Sequence, residues 1–442
     1  MTTAANLPGP RSAALAFVNM YRDPLRFLTD VSERYGDVVH MKLGRRQDFL
    51  LNHPDYIRTI LTDTDKLRRL VHQPLRRLLG RGLLTSRGKT RQKQRLMLQP
   101  MFNREKIAVL AELMKPQIAR WIEKWRDGQQ IEIADEMTRL TMVNAGRTLL
   151  NVDLESEAVE LREALLTVIS STRFSNLAGF TKYLARLPLP ENQRFRRAAK
   201  RLDGFIYDMI AERQTRRTDD PDLLSVLVRL SMENRKGMND EKVRDQILTF
   251  FVAGHETIAT ALTWTWYLLA QHPAVMEKLQ AELDAVLGDR ELTISQLEEL
   301  PYARMVFAEA MRVYSPVWII GRNAMEDFPM NGFVIPKGSY IHLSPFLMHR
   351  DARYYPEPER FDPERWQDDA VAARPKFSYF PFGAGPMRCI AESFAWTQGI
   401  LIIAMLARKW RMRVAPGHRI ALQPQVTLRS RYGMPMIVER RS

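Results

Sequence analysis

The chain has 442 residues, 45% of them hydrophobic, and a formal net charge of +15 at pH 7. A chain of this length can bury a large core, and its single cysteine excludes a disulfide framework and a four-thiolate zinc or iron–sulfur site. The N-terminal segment has neither a basic n-region nor an apolar h-region, so we expect no secretory signal, no membrane anchor and a cytoplasmic location.

The positive net charge makes nucleic acid the first class of partner to consider. The arginines and lysines are spread over many helical segments, however, and no nucleic-acid-binding motif accompanies them. We therefore expect no nucleic-acid partner and interpret the charge as a solvated surface that steers association.

Hydrophobic periodicity predicts a mainly α protein with a minor β portion, in a single domain over residues 1–442. The predicted elements are, in chain order, a helix over 24–35, strands over 38–43 and 49–52, helices through 54–287 with the longest over 240–271, a helix over 301–314, strands within 318–345, a helix over 390–407 and a terminal hairpin over 427–439. Residues 247–269 are apolar enough to cross a bilayer, but they include His255 and Glu256, so we interpret them as a helix through the protein interior.

Two catalytic motifs are incomplete. The His-Glu pair at 255–256 begins a zinc-protease motif, but Ala259 stands where the second imidazole is required. The His-Arg-Asp triplet at 349–351 is similar to a kinase catalytic loop, but Pro356 occupies the position of the metal-binding asparagine. Neither zinc hydrolysis nor phosphoryl transfer is therefore expected.

The single cysteine, Cys389, follows a glycine-containing loop and precedes a predicted helix. Gly383, Gly385 and Pro386 describe a tightly turned loop whose backbone approaches a neighbour closely. A helix N-terminus favours a thiolate, and a thiolate held on a loop can ligate iron. The alternative is the usual role of a lone cysteine, that of a small buried hydrophobic residue.

Segment 382–391, Phe-Gly-Ala-Gly-Pro-Met-Arg-Cys-Ile-Ala, resembles the haem-binding loop of cytochrome P-450. Three more segments resemble family signatures in the family's order: 253–257 (Ala-Gly-His-Glu-Thr), 309–312 (Glu-Ala-Met-Arg) and 358–361 (Pro-Glu-Arg-Phe). The resemblance covers essentially the whole chain and implies the cytochrome P-450 fold, with a long central helix over a haem. It also implies a haem-thiolate monooxygenase of the soluble bacterial type. The loop residues implied to contact the haem, besides the cysteine, are Phe382, Gly383 and Arg388.

Glu309 and Arg312 are spaced to lie on one helix face, where Arg360 can complete a carboxylate–guanidinium network. A surface ion pair is the commoner result of such spacing. The resemblance implies a buried structural network that supports the cysteine loop and acts in folding and haem incorporation.

A glycine and a carboxylate in the middle of the longest helix break local helix preferences, which often marks a functional site. The alternative, a polar surface face, is opposed by the apolar residues on every side. The resemblance implies that Cys389 ligates the iron of heme b (iron protoporphyrin IX) and that Ala253 and Gly254 leave room for oxygen on the distal haem face. Thr257 and Glu256 resemble the alcohol and acid pair that guides protons to the oxygen.

Two departures from the family concern the haem propionates. The family usually has a basic residue two positions before the cysteine, where this chain has Met387, with Arg388 next. The family's Trp-x-x-x-Arg appears with Arg91 in place of the tryptophan, followed by Arg95. We hypothesise that Arg91 supplies the charge missing at Met387, together with Arg95 and with Arg322, which matches a propionate-binding arginine.

The substrate pocket is expected to be lipophilic and to accept a fatty acid or terpenoid-like molecule. Core packing is an alternative role for each apolar residue assigned to it. The assigned residues are Phe250, Phe251, Val317, Trp318, Ile319 and Val426, with segment 71–84 and Phe174, Phe180 and Tyr183 as a roof.

No flavin or iron–sulfur segment is recognisable in the sequence, so we expect electrons from a separate protein. The basic charge favours an acidic ferredoxin or flavodoxin, with its reductase, docking near Arg87, Lys89, Lys93 and Arg388 on a monomer. Two alternatives stay open: a peroxide-driven haem-thiolate peroxygenase, opposed by Thr257 beside a glutamate, and a non-catalytic haem-binding protein.

Overall fold

A computed structural model of the chain describes residues 7–43, 46–63, 65–71, 73–155, 158–171, 189–216, 220, 222–233 and 237–441. Helices dominate the described residues and the sheets are small, as the periodicity predicts. The helices are α1 (Ala13–Arg22), α2 (Pro24–Tyr35), α3 (Pro54–Thr62), α4 (Gln73–Leu79), α5 (Gly88–Leu98), α6 (Arg104–Glu123), α7 (Ile133–Ala145), α8 (Ala158–Ser171), α9 (Pro190–Arg216), α10 (Leu223–Met232), α11 (Asp240–Gln271), α12 (Pro273–Leu287), α13 (Pro301–Val313), α14 (Pro345–Met348), α15 (Asp368–Ala372) and α16 (Glu392–Ala407).

The strands are short, and most of them lie in the second half of the chain. They are β1 (Val38–Leu43), β2 (Arg46–Leu51), β3 (Leu67–Arg69), β4 (Gln130–Glu132), β5 (Ile320–Ala324), β6 (Phe328–Met330), β7 (Phe333–Ile335), β8 (Tyr340–Leu343), β9 (Trp410–Val414), β10 (Leu422–Pro424), β11 (Leu428–Ser430) and β12 (Pro435–Arg440).

The long helix α11 begins and ends where the sequence predicts. The side chain of Asn239 caps its first turn by accepting a hydrogen bond from the Lys242 amide, 3.1 Å away. It stops at His272 because Pro273 cannot continue a helix. None of the helices in the described ranges combines the length and hydropathy needed to cross a bilayer.

The terminal hairpin predicted over 427–439 is wrong in its pairing. β11 pairs with β10, whereas β12 pairs with β9 and β4, all antiparallel. Alternating side chains identify β12 as a strand, but neither partner is the neighbouring strand in sequence: β9 precedes β10 and β11, and β4 lies in the first half of the chain.

The chain forms two compact units, of which the first contains residues 1–71 and 308–389. Its five-stranded sheet has the order β1-β2-β8-β5-β3, in which β2 and β8 are parallel and the other neighbours antiparallel. The apolar core of this unit includes Phe49, Ile57 and Ile341 and extends to Phe380, at the start of the cysteine loop. The loop is therefore attached to the sheet core through a buried aromatic ring.

The second unit contains residues 72–307 and 390–442. Helix α11 lies at its centre and packs against α7, α9, α10 and α16. A three-stranded sheet of order β4-β12-β9 and the two-stranded sheet of β10 and β11 complete this unit. The polar residues of α11 are consequently held in a mostly buried setting.

Candidate functional site

The cysteine loop ends in an exposed thiol. Cys389 lies between a short 3₁₀ turn, Gly385–Met387, and helix α16, which begins two residues later than predicted. Its backbone amide donates a 3.0 Å hydrogen bond to the Phe382 carbonyl and so closes the loop. A thiol held on a closed loop near a helix start is well placed to act as a metal ligand.

The loop needs glycine for two reasons. Gly383 and Gly385 both have positive φ, at +68° and +63°. A Cβ atom on Gly385 would also clash with the carbonyl oxygen of Leu61, at the end of α3. The sequence predicts that the backbone of this loop approaches a neighbour closely. One such neighbour is the chain itself, at the end of α3.

Arg69 holds the loop from strand β3, a contact that the sequence reasoning missed. Its Nη2 donates a 2.9 Å hydrogen bond to the carbonyl oxygen of Met387. In the antiparallel pairing of β3 with β5, Arg69 lies opposite Arg322, which is 3% exposed. Arg69 thus supplies a cation at the part of the loop where the family has a basic residue, and Arg322 is its neighbour on the adjacent strand.

Glu309 and Arg312 form a fully buried ion pair. Arg312 Nε and Nη2 donate to the two carboxylate oxygens of Glu309 at 2.8 and 2.9 Å, and both side chains are 0% exposed. The remaining donors of Arg312 reach the carbonyls of His349, Pro358 and Arg360 at 2.7–3.0 Å. A bidentate pair with every donor engaged is the geometry in which a buried ion pair is tolerated.

Arg360 does not join this network through its guanidinium, contrary to the sequence prediction. That group binds Glu357 at 3.1 Å on the surface, and Arg360 contributes only its backbone carbonyl. The Glu309 carboxylate instead accepts from Trp366 Nε1 at 2.9 Å and has Arg365 Nε at 3.5 Å. The reason is that the backbone of this segment faces the ion pair, which leaves the Arg360 side chain outside.

His349 links the residues that follow helix α13 to the start of the cysteine loop. Its Nε2 accepts the Phe380 amide at 3.0 Å, so Nδ1 carries the proton toward Ser315 Oγ, 2.9 Å away. Burial, reinforced by the nearby Arg312, holds the pKa of His349 well below 6.5. The sequence reasoning treated this histidine only as part of a failed kinase motif, because its contacts are distant in sequence.

The centre of α11 has one narrow window onto open space. Every residue from 243 to 266 is buried apart from Ala253, Gly254 and Thr257, which share one helix face. A Cβ on Gly254 would meet only Leu149, at 3.9 Å, and Thr257 Oγ1 donates to the Ala253 carbonyl at 2.9 Å. Small residues and a hydroxyl at this window fit the room for oxygen that the resemblance implies.

Glu256 points away from the window into an ion pair. Its Oε1 accepts from Thr427 Oγ1 at 2.6 Å and from Arg429 Nε at 2.7 Å, and Arg429 Nη2 binds Oε2. Burial would raise the pKa of Glu256, but Arg429 holds it below its usual range. Among the hydrogen bonds of the described residues, none joins Glu256 to Thr257.

Two further arginines lie together on α5. Arg91 and Arg95 are one helical turn apart, and burial, together with the charge of Arg95, lowers the pKa of Arg91. Two neighbouring guanidiniums attract an anion, which fits the propionate role implied for them. Whether Arg91 supplies the charge absent at Met387 stays a prediction.

The residues predicted to line the substrate pocket differ in exposure. Phe250 and Phe251 are buried, and the Phe250 ring stacks on Phe102 with centroids 5.4 Å apart. Val317, Ile319 and Val426 are partly exposed, whereas Trp318 is buried and Phe174, Phe180 and Tyr183 lie outside the described residues. Their assignment to the substrate pocket stays a prediction.

The donor set fits a haem that is held by a single protein ligand. Within the described ranges, no group of three or more His, Cys, Asp or Glu side chains could hold a metal ion. Cys389 supplies one exposed thiol, and the arginines supply cations for carboxylate groups.

Comparison with known proteins agrees with this chemistry. The family model described as cytochrome P-450 matches residues 7–431. Cyclooctat-9-en-7-ol 5-monooxygenase of Streptomyces melanosporofaciens is 34% identical over 417 residues, which cover 94% of this chain and 91% of that protein. Pentalenene oxygenase of Streptomyces avermitilis is 30% identical over 399 residues, covering 90% and 88%.

A solved structure shares the fold. The retinoic acid bound cyanobacterial CYP120A1 matches with a TM-score of 0.88 and 24% identity, over 98% of this chain and 99% of that one. The chain therefore belongs to the cytochrome P-450 family and is a monooxygenase, an oxidoreductase that uses haem-thiolate iron to incorporate oxygen.

Proposed function

We propose that this enzyme inserts one oxygen atom from O2 into a terpenoid-like molecule. The observation that carries the proposal is the window of Ala253, Gly254 and Thr257 on an otherwise buried helix, because it offers space and a hydroxyl together. The relatives named cyclooctat-9-en-7-ol 5-monooxygenase and pentalenene oxygenase support a terpenoid-like substrate over a fatty acid.

The proposed cofactor is heme b. Cys389 would hold its iron through the thiolate, and Phe382 and Gly383 would form the loop against it. Arg91, Arg95 and Arg322 would bind its propionates. When bound, the haem supplies the oxidising chemistry, and the thiolate favours cleavage of the O–O bond.

Proton delivery is assigned to Thr257 and Glu256. Thr257 presents its hydroxyl at the window, where it can exchange its hydrogen bond to the Ala253 carbonyl for one to a molecule in that space. Glu256 is the adjacent carboxylate, and its pairing with Arg429 favours the ionised form, which is able to accept a proton and pass it on. Ordered water would bridge the two side chains.

The proposed electron donor is an acidic ferredoxin or flavodoxin that is reduced by its own reductase. Arg87, Lys89 and Lys93 are exposed around the start of α5, and Arg388 is exposed beside the cysteine. Since exposed charges are screened by salt, reduction should slow steeply as ionic strength rises. The monomeric state and the cytoplasmic location stay predictions.

The substrate class is tested by spin-state titration of the haem-containing protein with cyclic terpenes, terpene alcohols and fatty acids of similar size. Terpenoids should shift the spin state and yield oxygenated products that require O2, reductant and a ferredoxin with its reductase. Shifts and products from fatty acids alone would overturn the terpenoid assignment. Full turnover with hydrogen peroxide in place of the electron donor would identify a peroxygenase.

A further inference from the structure

Three consecutive residues at the start of β11 are fastened to helix α11. Thr427 and Arg429 bind the Glu256 carboxylate through three hydrogen bonds, and the Leu428 carbonyl accepts Trp264 Nε1 at 2.6 Å. Glu256 and Trp264 lie about two helical turns apart on α11. Glu256 binds side chains of the strand, and Trp264 binds its backbone.

The strand they hold belongs to a small hairpin. β10 and β11 form only three residue pairs, and residues 425–427 form the turn between them. A two-stranded hairpin of this size is marginally stable by itself. Its side-chain contacts with α11 therefore help to fix its position.

The Glu256–Arg429 pair is the charged one among these contacts. Glu256 is 3% exposed and the Arg429 side chain 23% exposed, so the pair is largely removed from water. Charge-assisted hydrogen bonds in such a setting are about twice as strong as neutral ones. Removal of either partner leaves the other charge buried without compensation.

We infer that the Glu256–Arg429 ion pair is a clamp that fixes the hairpin turn at Val426, which makes Arg429 a positioning residue for the substrate. The inference rests on the proposed function in one respect, that Val426 lines the substrate pocket. Glu256 then has a role in pocket shape besides the proton-transfer role proposed above. The clamp itself requires neither haem nor substrate.

The first test measures amide hydrogen exchange of residues 422–430 in haem-containing protein. It compares wild type with Glu256→Gln, Arg429→Gln and the double variant. Both single variants should exchange at least about tenfold faster in this segment, and the double variant no faster than either single, because both remove the same interaction. Arg429→Lys, which keeps the charge, should exchange more slowly than Arg429→Gln.

The matched control is Arg413→Gln. Arg413 binds Glu439 at 2.6 Å in an ion pair that is about half exposed on both sides, within the same unit. The Arg413→Gln substitution should leave the amide hydrogen exchange of residues 422–430 unchanged. Wild-type exchange of these residues in Arg429→Gln would overturn the clamp.

The second test measures the pocket with two probes, 4-phenylimidazole and imidazole. Both bind through an azole nitrogen, so the ratio of their dissociation constants reports the fit of the phenyl ring. The ratio should change at least about threefold in both single variants, and by no more than that in the double variant. Faster exchange with an unchanged ratio would remove Arg429 from pocket shaping, whereas wild-type protein that binds neither azole would refute the proposed function and leave the exchange test standing.

Discussion

The guanidinium of Arg69 donates a 2.9 Å hydrogen bond to the carbonyl oxygen of Met387, two residues before the exposed thiol of Cys389. Strand β3 thereby holds the cysteine loop through a charged donor. Because the family usually carries a basic side chain at the position of Met387, this contact returns a positive charge to the same part of the loop.

Arg69→Gln should therefore loosen haem binding. Loss of a hydrogen bond from a charged donor corresponds to about 1.5–3 kcal/mol, so we expect haem transfer to an acceptor protein to be at least about tenfold faster. The control is Arg68→Gln, whose side chain is exposed on the same strand. Equal rates of haem loss for both variants and wild type would contradict the role of Arg69.

The same assay tests Arg91. If Arg91 supplies charge for a propionate, Arg91→Ala should also speed haem loss, whereas the exposed Lys93→Ala on the same helix should not. Haem loss from Arg91→Ala at the wild-type rate would remove Arg91 from the propionate site.

Arg312→Lys should be strongly destabilising. Lysine cannot donate to both Glu309 oxygens and three carbonyls, so a buried charge is left poorly compensated, at a cost of about 3–5 kcal/mol. Urea unfolding and haem content measure the effect. Arg360→Gln is the control, since its guanidinium binds the exposed Glu357 side chain, and it should stay within about 0.5 kcal/mol of wild type. Equal losses in the two variants would contradict the observed network.

His349 should make the protein less stable in mild acid. Its pKa in the folded state lies well below 6.5, so below about pH 6.5 the unfolded chain binds a proton that the folded chain does not. The free energy of unfolding therefore falls as pH drops through this range, by up to about 1.4 kcal/mol per pH unit for this residue. Urea unfolding of His349→Gln between about pH 7.5 and about pH 5.5 should show a shallower dependence than wild type. The partly exposed His53→Gln is the control, and identical pH slopes in wild type and His349→Gln would contradict this assignment.

Thr257→Ala should uncouple reductant use from product formation. Without the hydroxyl at the window, oxygenated product per reductant consumed should fall at least about tenfold, while reductant use continues. Thr257→Ser should retain most of the coupling. Thr263→Val is the control, because the Thr263 hydroxyl bonds the Ala259 carbonyl in the buried part of the same helix. Wild-type coupling in Thr257→Ala would remove that hydroxyl from proton delivery.

The sequence predicts best what short-range signals determine. The ends of α11 follow from a capping asparagine and a proline, and the spacing of Glu309 and Arg312 is itself a local property. Contacts between distant segments are not predictable in this way. The contact of Arg69 with Met387 joins opposite halves of the chain, and that of Arg429 with Glu256 joins a strand to a helix. Nothing in the local sequence marks either contact.

Arg360 shows that a correctly recognised segment can still give a wrong side-chain contact. The residue belongs to a recognisable segment, yet its backbone, and not its side chain, binds Arg312. A sequence pattern identifies the segment that contributes to a network, but the direction of each side chain depends on the backbone path.

The iron ligand is tested most directly by the carbon monoxide difference spectrum of the reduced, haem-containing protein. Wild type should show the signature of thiolate-ligated haem, and Cys389→Ser of comparable haem content should lose it, because the thiol of Cys389 is the only one in the sequence. A thiolate signature that persists in Cys389→Ser, or that is missing from wild-type protein with bound haem, would contradict Cys389 as the ligand.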